Sequence, residues 1–548
     1  MGNTITCLMK KIYVVVLILL ITAGVTKAQS QYQPYSYQFY QKFNARAYST
    51  DTRLHTSLKP FFVDDTVLQS RYNQLMNYGK DTTRKRSWVH RKLFNEHLIE
   101  VNDKDYTFFA DYITDITIGR DIAGKKNTWR NTRGFQLGGT IGKNFYFYSA
   151  GFENQAVFPQ YYTNYINQVG VVPGQAYDRS FAEHDEKDWS NAIAIASYTP
   201  VKYLNITLGQ DRNFIGDGYR SQILSDNASP YPFLKLTANL GNVKYMTMWS
   251  YMTDPASPQV SYINGYRKKW GAFHYLDWNV NNRLSLGFFE SIIWADRDVD
   301  GNFRGFDFNY VNPVVFLRPT EASIGSPDNA LLGFTGKYKV ADGVAVYGQF
   351  ILDEFQASSF FAGKGSSRNK YAYQIGVRGA DLFKVKDLNY LVEYNTALPY
   401  TYSEQNSITN YSQQAEPLAH PFGANYRELV GIVNYSYKRF DFSGQLNYAR
   451  YGLDTDATNY GKDIFKSYTL PAKENGNFVG QGLTTNMFFL QGRVAYVVNP
   501  KYNLRVEMGA TLRQENNTKF NDKTTMVFLA LRSSFRHLYE DIASYKAY

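Results

Sequence analysis

The sequence predicts an all-β protein, a transmembrane antiparallel outer-membrane β-barrel with short N-terminal periplasmic helices. Three observations lead there: an export signal at the start, an aromatic-rich composition without usable cysteines, and hydrophobic alternation of period two from Tyr106 onward. A half-buried strand alternates apolar and polar residues, and in a membrane barrel the apolar set meets lipid while the other set faces a wet interior.

Residues 1–28 carry Lys10 and Lys11, the apolar run Ile12 to Ile21, and Thr26-Lys27-Ala28, whose small outer residues suit signal peptidase. The run is too short to span a membrane comfortably, and Met9 offers an alternative start. Gln29 becomes the expected mature N-terminus. Cys7 precedes the apolar run, so it cannot serve as a lipidated first residue. Removal of 1–28 takes the formal charge from +11 to +8 and removes the only cysteine. Disulfides and thiolate metal sites are thereby excluded from the mature chain, which must be held by backbone pairing and packing. A modest basic excess spread over so long a chain specifies no partner, and nothing points to nucleic acid.

Aromatic residues make up 17%, with 47 Tyr and 38 Phe beside 40 Gly, and the mean hydropathy is −0.42. That mixture suits a barrel with aromatic girdles and a polar lumen. No stretch after residue 28 offers about 18 uninterrupted apolar residues, which excludes a helical membrane protein.

The expected organisation is a signal peptide over 1–28, a periplasmic arm with helices over 29–105, and a barrel over 106–548. Gln29 to Lys59 is polar, Tyr-rich and aperiodic. Asp64 to Asn77 and Arg86 to Glu100 have helical spacing; the second reads alternatively as a first strand. Leu504, Val506, Met508, Ala510 and Leu512 alternate with Arg505, Glu507, Gly509, Thr511 and Arg513 after the turn Asn499 to Asn503. A soluble sandwich shares this period, but export and the aromatic load favour the barrel. Similar hairpins turn at Lys438-Arg439 and at Ala341-Asp342-Gly343. Such short turns belong on the periplasmic side, and the polar stretches Glu153 to Asp188, Thr396 to Arg427 and Gly452 to Gly482 on the extracellular side. Roughly 440 barrel residues allow about 14–18 strands, with the upper end favoured. The last strand is expected over Thr524 to Phe535, either extending further or followed by a short tail.

The densest polar stretch is Gly209 to Pro232. Gly209, Gly216 and Gly218 permit unusual backbone angles, and Asp211, Arg212, Asp217, Arg220 and Asp226 crowd charge beside them. Asp211, Arg212, Asn213, Asp217, Tyr219, Arg220, Asp226 and Asn227 are candidate carbohydrate-binding residues, since aromatic faces stack on sugar rings and these polar groups reach hydroxyls or uronic carboxylates. The same residues read equally well as a rigid turn with arginine–aspartate braces in a barrel lumen. Asp296, Asp298, Asp300, Asn302 and Asp307 have the spacing of a calcium loop at its start, against an Asp-Gly turn as the alternative. Glu183-His184-Asp185-Glu186 lacks the spaced partners of a zinc site. The seven histidines are scattered, no Gly-x-Ser-x-Gly element marks a nucleophile, and no catalytic residue or cofactor is expected.

Gly209-x-x-Arg212, Gly216-x-Gly218, and Ser221-x-Ile223-Leu224-Ser225-x-Asn227-Ala228-x-Pro230-x-Pro232 resemble the signature of the Wzi-type capsule assembly proteins, with Ile215 and Asp217 where that pattern has Trp and Pro. Asn309 to Glu321, Gly325 to Gly333, and His420-Pro421-Phe422-Gly423-Ala424-Asn425-Tyr426-Arg427-Glu428 are similar to the gliding-motility branch of that family, RemB. The resemblance spans most of the chain from about Tyr35. It implies a non-enzymatic, lectin-like anchor that takes part in surface (capsular) polysaccharide attachment or assembly. Its partners would be surface polysaccharide and outer-membrane lipids. The gliding branch implies instead an accessory role in gliding motility, adhesion or secretion, with machinery proteins as partners. A channel or barrel enzyme is the third class.

Overall fold

The computed structural model describes residues 31–63, 66–79, 86–180, 185–254, 266–298, 300–313, 323, 327–455 and 458–545. The expected signal peptide, Glu183, His184, residues 314–321, Gly325 and Tyr548 lie outside them.

The described residues form a closed antiparallel barrel of 18 strands, the upper end of the expected range. In chain order these are β1 (Tyr106–Asp121), β2 (Lys126–Ile141), β3 (Phe145–Val157), β4 (Glu186–Val201), β5 (Leu204–Asp211), β6 (Tyr231–Leu240), β7 (Val243–Asp254), β8 (Arg267–Asn279) and β9 (Leu284–Ala295). They continue as β10 (Asn329–Ala341), β11 (Val344–Glu354), β12 (Lys370–Gly379), β13 (Leu388–Ala397), β14 (Tyr426–Tyr437), β15 (Phe440–Leu453), β16 (Leu483–Asn499), β17 (Leu504–Asn516) and β18 (Asn521–Arg532). Each strand pairs with its sequence neighbours, and β18 closes on β1 from Met526↔Asp121 to Arg532↔Asp115. Closure leaves no edge unpaired, the condition for backbone in lipid.

Alternation sets the faces as expected. On β17, Val506, Met508 and Leu512 are exposed outward, while Arg505, Glu507, Thr511 and Arg513 are buried inward. Hairpins turn at Lys438-Arg439 and Asp342-Gly343 at one end, and the described residues of the long connections, 158–180, 398–425 and 458–482, lie at the other. The second helical stretch resolves into both readings, a helix Trp88–Phe94 followed by a strand Ile99–Asn102 paired on β1. The helix Thr66–Met76 sits at the short-turn end, where Arg71 Nη2 donates to Asp387 at 2.6 Å.

Three chain segments fill the lumen. The Tyr-rich stretch from Tyr32 to Lys59, expected as a periplasmic arm, runs along the inner wall. Tyr32 donates to Asp211, Lys42 pairs with Asp441 at 2.7 Å, and Leu58–Lys59 pairs with Phe214–Ile215. Its rings carry hydroxyls, so they bury well only where acceptors line the wall, and a barrel interior supplies them. The connection between β5 and β6 dips inward as the second segment.

The third segment follows β18, which ends at Arg532 rather than Phe535. The tail leaves the short-turn end, where Ser534 N donates to Tyr502 O at 2.8 Å, and climbs to the loop end, where Ile464 N donates to Tyr545 Oη at 3.2 Å. Phe535 packs edge-to-face on Phe39 of the arm with ring centroids 4.8 Å apart.

The connection after β9 does the opposite and folds over the outside of the wall. Register pairs Trp249 with Ala272 and Trp270 with Trp294, whereas Met248, Phe273 and Ile293 of the other face join the lumen core. The three tryptophans therefore point outward, and each indole N–H donates into this strap. Trp270 reaches Asp296 Oδ1 at 2.8 Å, Trp294 reaches Gly305 O at 3.1 Å, and Trp249 reaches Tyr310 O at 2.9 Å.

Candidate functional site

The stretch Gly209 to Pro232 starts as the last residues of β5 and becomes the loop in the lumen. Backbone room explains two of its glycines. Gly216 adopts φ +145°, and a Cβ there would lie 2.3 Å from Gln349 Nε2. A Cβ on Gly218 would lie 2.1 Å from Glu393 Oε2. Gly218→Ala is expected to destabilise the plugged barrel by about 1–3 kcal/mol, read as a lower temperature of the heat-induced mobility shift on gels.

The glycines bring the backbone onto the wall. Glu393 accepts from Tyr219 N at 2.9 Å and Arg220 N at 3.0 Å, and also from Tyr347 Oη and Asn395 Nδ2. Ser221 Oγ accepts from Ile223 N and Leu224 N, a local turn that the Ser-x-Ile-Leu spacing encodes.

Arg220 is the centre of the network. Its guanidinium forks onto Glu428, Nε to Oε2 at 3.2 Å and Nη2 to Oε1 at 2.9 Å, and Nη2 also reaches Asp541 Oδ2 of the tail at 2.8 Å. It stacks on the Tyr219 ring, 4.8 Å from its centroid. Burial disfavours its charge, but Asp541 and Glu428 outweigh that and hold the guanidinium firmly protonated.

His420 completes the cluster. Its Nδ1 accepts from Phe422 N at 3.1 Å, and the other ring nitrogen, Nε2, donates to Glu428 Oε2 at 2.8 Å, the arrangement of a neutral imidazole. Burial lowers its pKa to about 4, although Glu428 pulls the other way.

The remaining candidates are placed the same way. Asp217 accepts from Tyr48 Oη at 2.7 Å and Ser57 Oγ at 2.8 Å; burial pushes its carboxyl up, but Lys337, Lys59 and hydroxyls prevail and hold it well below the carboxylate range. Asp226 accepts from Tyr539 Oη at 2.6 Å, and Tyr219 Oη donates to Asp541 at 3.1 Å. Asn213 accepts from Lys235 Nζ at 2.8 Å, and Arg212 Nη1 donates to Gly174 O at 3.2 Å. Asn227 N donates to Ser225 Oγ, while Asn227 Oδ1 and Arg212 Nε have no partner among the described residues. All eight side chains are buried. The loop is thus a brace that ties β13 and β14 to both the N-terminal arm and the C-terminal tail.

Sequence reasoning missed the other half of this brace. Glu393 and Asp541 carried no local signal, and Glu428 and His420 entered only through the resemblance; Glu393 and Glu428 become legible once the lumen-facing register of β13 and β14 is known.

A second carboxylate anchors the far side of the loop. Glu416 accepts from Ser229 N at 2.8 Å, Ser229 Oγ at 2.7 Å and Gly174 N at 2.7 Å, and burial raises its pKa to about 8. A carboxyl raised on folding contributes stability that is complete below its unfolded value near 4.5 and is lost as pH rises through about 8. Amide exchange at Ser229 and Gly174 is therefore expected to gain, above its intrinsic pH dependence, between pH 5 and about 8, and Glu416→Gln to remove that gain.

The acidic spacing after β9 forms the base of the strap. Asp298 Oδ1 accepts from Asp300 N at 3.0 Å and Asn302 N at 2.8 Å, and Arg297 bridges Phe303 as in a tight hairpin. Asp296 is taken by Trp270, and Arg304 clamps Asp307 at 2.7 Å and Asp328 at 2.6 Å. Asp298 and Asn302 thus bind each other within the turn, while Asp296 and Asp307 are drawn to Trp270 and Arg304. Among the described residues, no group of three or more His, Cys, Asp or Glu converges as a metal site. Asp185 pairs with Lys126 at 2.7 Å, and Glu186 opens β4.

No protein-family model matches the chain, and no curated protein matches it in sequence. Among solved structures it is similar to Wzi of Escherichia coli, described as an outer membrane protein involved in group 1 capsule assembly and a carbohydrate-binding β-barrel. The identity is 14%, the TM-score 0.51, and the match covers 90% of this chain and 98% of that one. It also resembles OprD of Pseudomonas aeruginosa, with 8% identity, a TM-score of 0.41, and coverage of 81% and 96%. The likeness to Wzi agrees with the fold described above, a closed antiparallel β-barrel.

Proposed function

We propose that this chain is a non-enzymatic outer-membrane barrel of the Wzi type that helps attach or assemble surface polysaccharide. The observation that carries the reading is the filled lumen: arm, loop and tail occupy the space through which a solute would pass. A barrel built in this way presents surfaces rather than a path. The fold likeness to a carbohydrate-binding barrel and the Gly209 to Pro232 signature point the same way. In this reading Asp211, Arg212, Asn213, Asp217, Tyr219, Arg220, Asp226 and Asn227, all buried, act by holding the lumen loop in place.

The test pairs a deletion strain with the purified protein. Loss of the capsule layer and retention of the protein on its own immobilised surface glycan are expected. An intact capsule together with no glycan retention overturns the reading.

A second reading, an accessory part in gliding motility or secretion, draws on one observation. His420 and Glu428 of the gliding-branch signature meet Arg220 of the capsule-type signature in a single network. It predicts lost colony spreading with capsule unchanged in the same strain.

A further inference from the structure

We propose that the connection between β11 and β12 is a binding site for a phosphorylated glycolipid of the outer leaflet. The site joins three exposed phenylalanines to two free cations on one rigid loop. Phe355, Phe360 and Phe361 are 45%, 42% and 82% exposed, far more than a soluble loop needs to leave in water. Their rings pack tilted and edge-to-face, with centroids 5.1 Å apart for Phe355 and Phe360 and 5.5 Å for Phe360 and Phe361.

The cluster continues the lipid-facing wall. Phe360 lies 6.1 Å from Tyr371, and Tyr371 lies 5.9 Å from Phe350. Phe350 and Tyr371 alternate with the inward-facing Ile351 and Lys370. The phenylalanines are therefore an extension of the surface already committed to lipid, at the loop end of the barrel. Aromatic rings at that level sit among head groups and upper acyl chains.

Charge selects the lipid. The segment 355–369 contains Lys364 and Arg368 and no acid. Both are exposed, and neither has an ion pair among the described residues. Of the neighbouring acids, Asp353 and Glu354 face Lys370, at 3.2 and 3.5 Å. Lys473 and Glu474 on the adjoining connection cancel in formal charge. Two unpaired cations beside an acyl-binding aromatic cluster match a lipid with phosphates at its head.

The loop is also held in shape from behind. Gly363 and Gly365 take positive φ, Gly476 N donates to Lys364 O at 2.8 Å, Asn477 N to Gly365 O at 2.9 Å, and Ser367 N to Glu474 O at 2.9 Å. These bonds tie its inner edge to the connection 454–482 and leave the phenylalanines and cations turned away from the protein. A preformed surface loses little freedom on binding.

Native mass spectrometry of the full chain in mixed bilayer discs tests the proposal, with hexa-acylated bisphosphorylated glycolipid, its dephosphorylated form and phosphatidylglycerol as probes. The unaltered protein is expected to retain the bisphosphorylated glycolipid preferentially. Each cation contributes about fivefold at a charged surface, so K364Q/R368Q is expected to lower retention by roughly thirtyfold. F360S/F361S should lower retention of all three probes. Both variants lie outside the wall, and an unchanged heat-induced mobility shift verifies their folding. Equal retention by K364Q/R368Q, equal retention of the dephosphorylated form, or phosphatidylglycerol held as firmly as the glycolipid overturns the assignment.

Discussion

Arg220→Ala is expected to cost the folded barrel about 3–5 kcal/mol, the loss that follows when one member of a buried charge network is removed. Glu428 and Asp541 would then face each other without the guanidinium that separates them, and Tyr219 would lose its stacking partner. The expected observation is a sharp drop in the temperature of the heat-induced mobility shift, together with protease access to the tail beyond Arg532. Arg220→Lys should recover part of the loss, because an ammonium keeps the charge but cannot fork onto Glu428 while reaching Asp541. Full stability in the alanine variant would show that the network is dispensable.

Deleting the tail after Ser534 is expected to have the second large effect, on permeation. The tail supplies Arg536 to Asn154 and Thr132, Glu540 to Arg493, Asp541 to Arg220, and Ser544 to Glu515. Without it the wall between β1 and β3 and between β14 and β17 would be lined by charges facing water. The intact protein should show no stable conductance steps in a planar bilayer, and the shortened protein should show them while still giving the mobility shift of a closed barrel. Conductance in the intact protein would undo the account of the filled lumen.

These two expectations mark the boundary of what the chain reveals without its fold. The wall was legible because its physics is local: Val506, Met508 and Leu512 must meet lipid, so Arg505, Glu507 and Arg513 must face inward. Turns such as Lys438-Arg439 and Ala341-Asp342-Gly343 marked where some of the strands reverse. The arm was not legible as a plug, because Tyr32, Tyr40 and Tyr48 have no period, and their partners Asp211, Gln33 O and Asp217 include residues almost two hundred positions away. The tail failed for a related reason. Phe535 reads as the aromatic end of a last strand, yet it belongs to a turn that sends the chain back through the ring. Gly209 to Pro232 stood out as dense in charge and glycine, but density alone could not say whether those charges meet a ligand or one another. The strap did leave a trace, since Trp249, Trp270 and Trp294 recur near the loop end of three successive strands, and each indole needs an acceptor that lipid cannot provide.

The strap also breaks the circular symmetry of the barrel as the bilayer meets it. Around most of the circumference, acyl chains contact side chains one layer deep. Across β7 to β9 the strap adds a second layer at the loop end, carrying Phe303 and Phe308, which are 72% and 77% exposed. On that flank the barrel is broader at its loop end, where Arg297, Asp298 and Asp300 of the strap are exposed beside those rings. The barrel should therefore have a preferred side toward its neighbours, giving it a direction within the plane of the membrane.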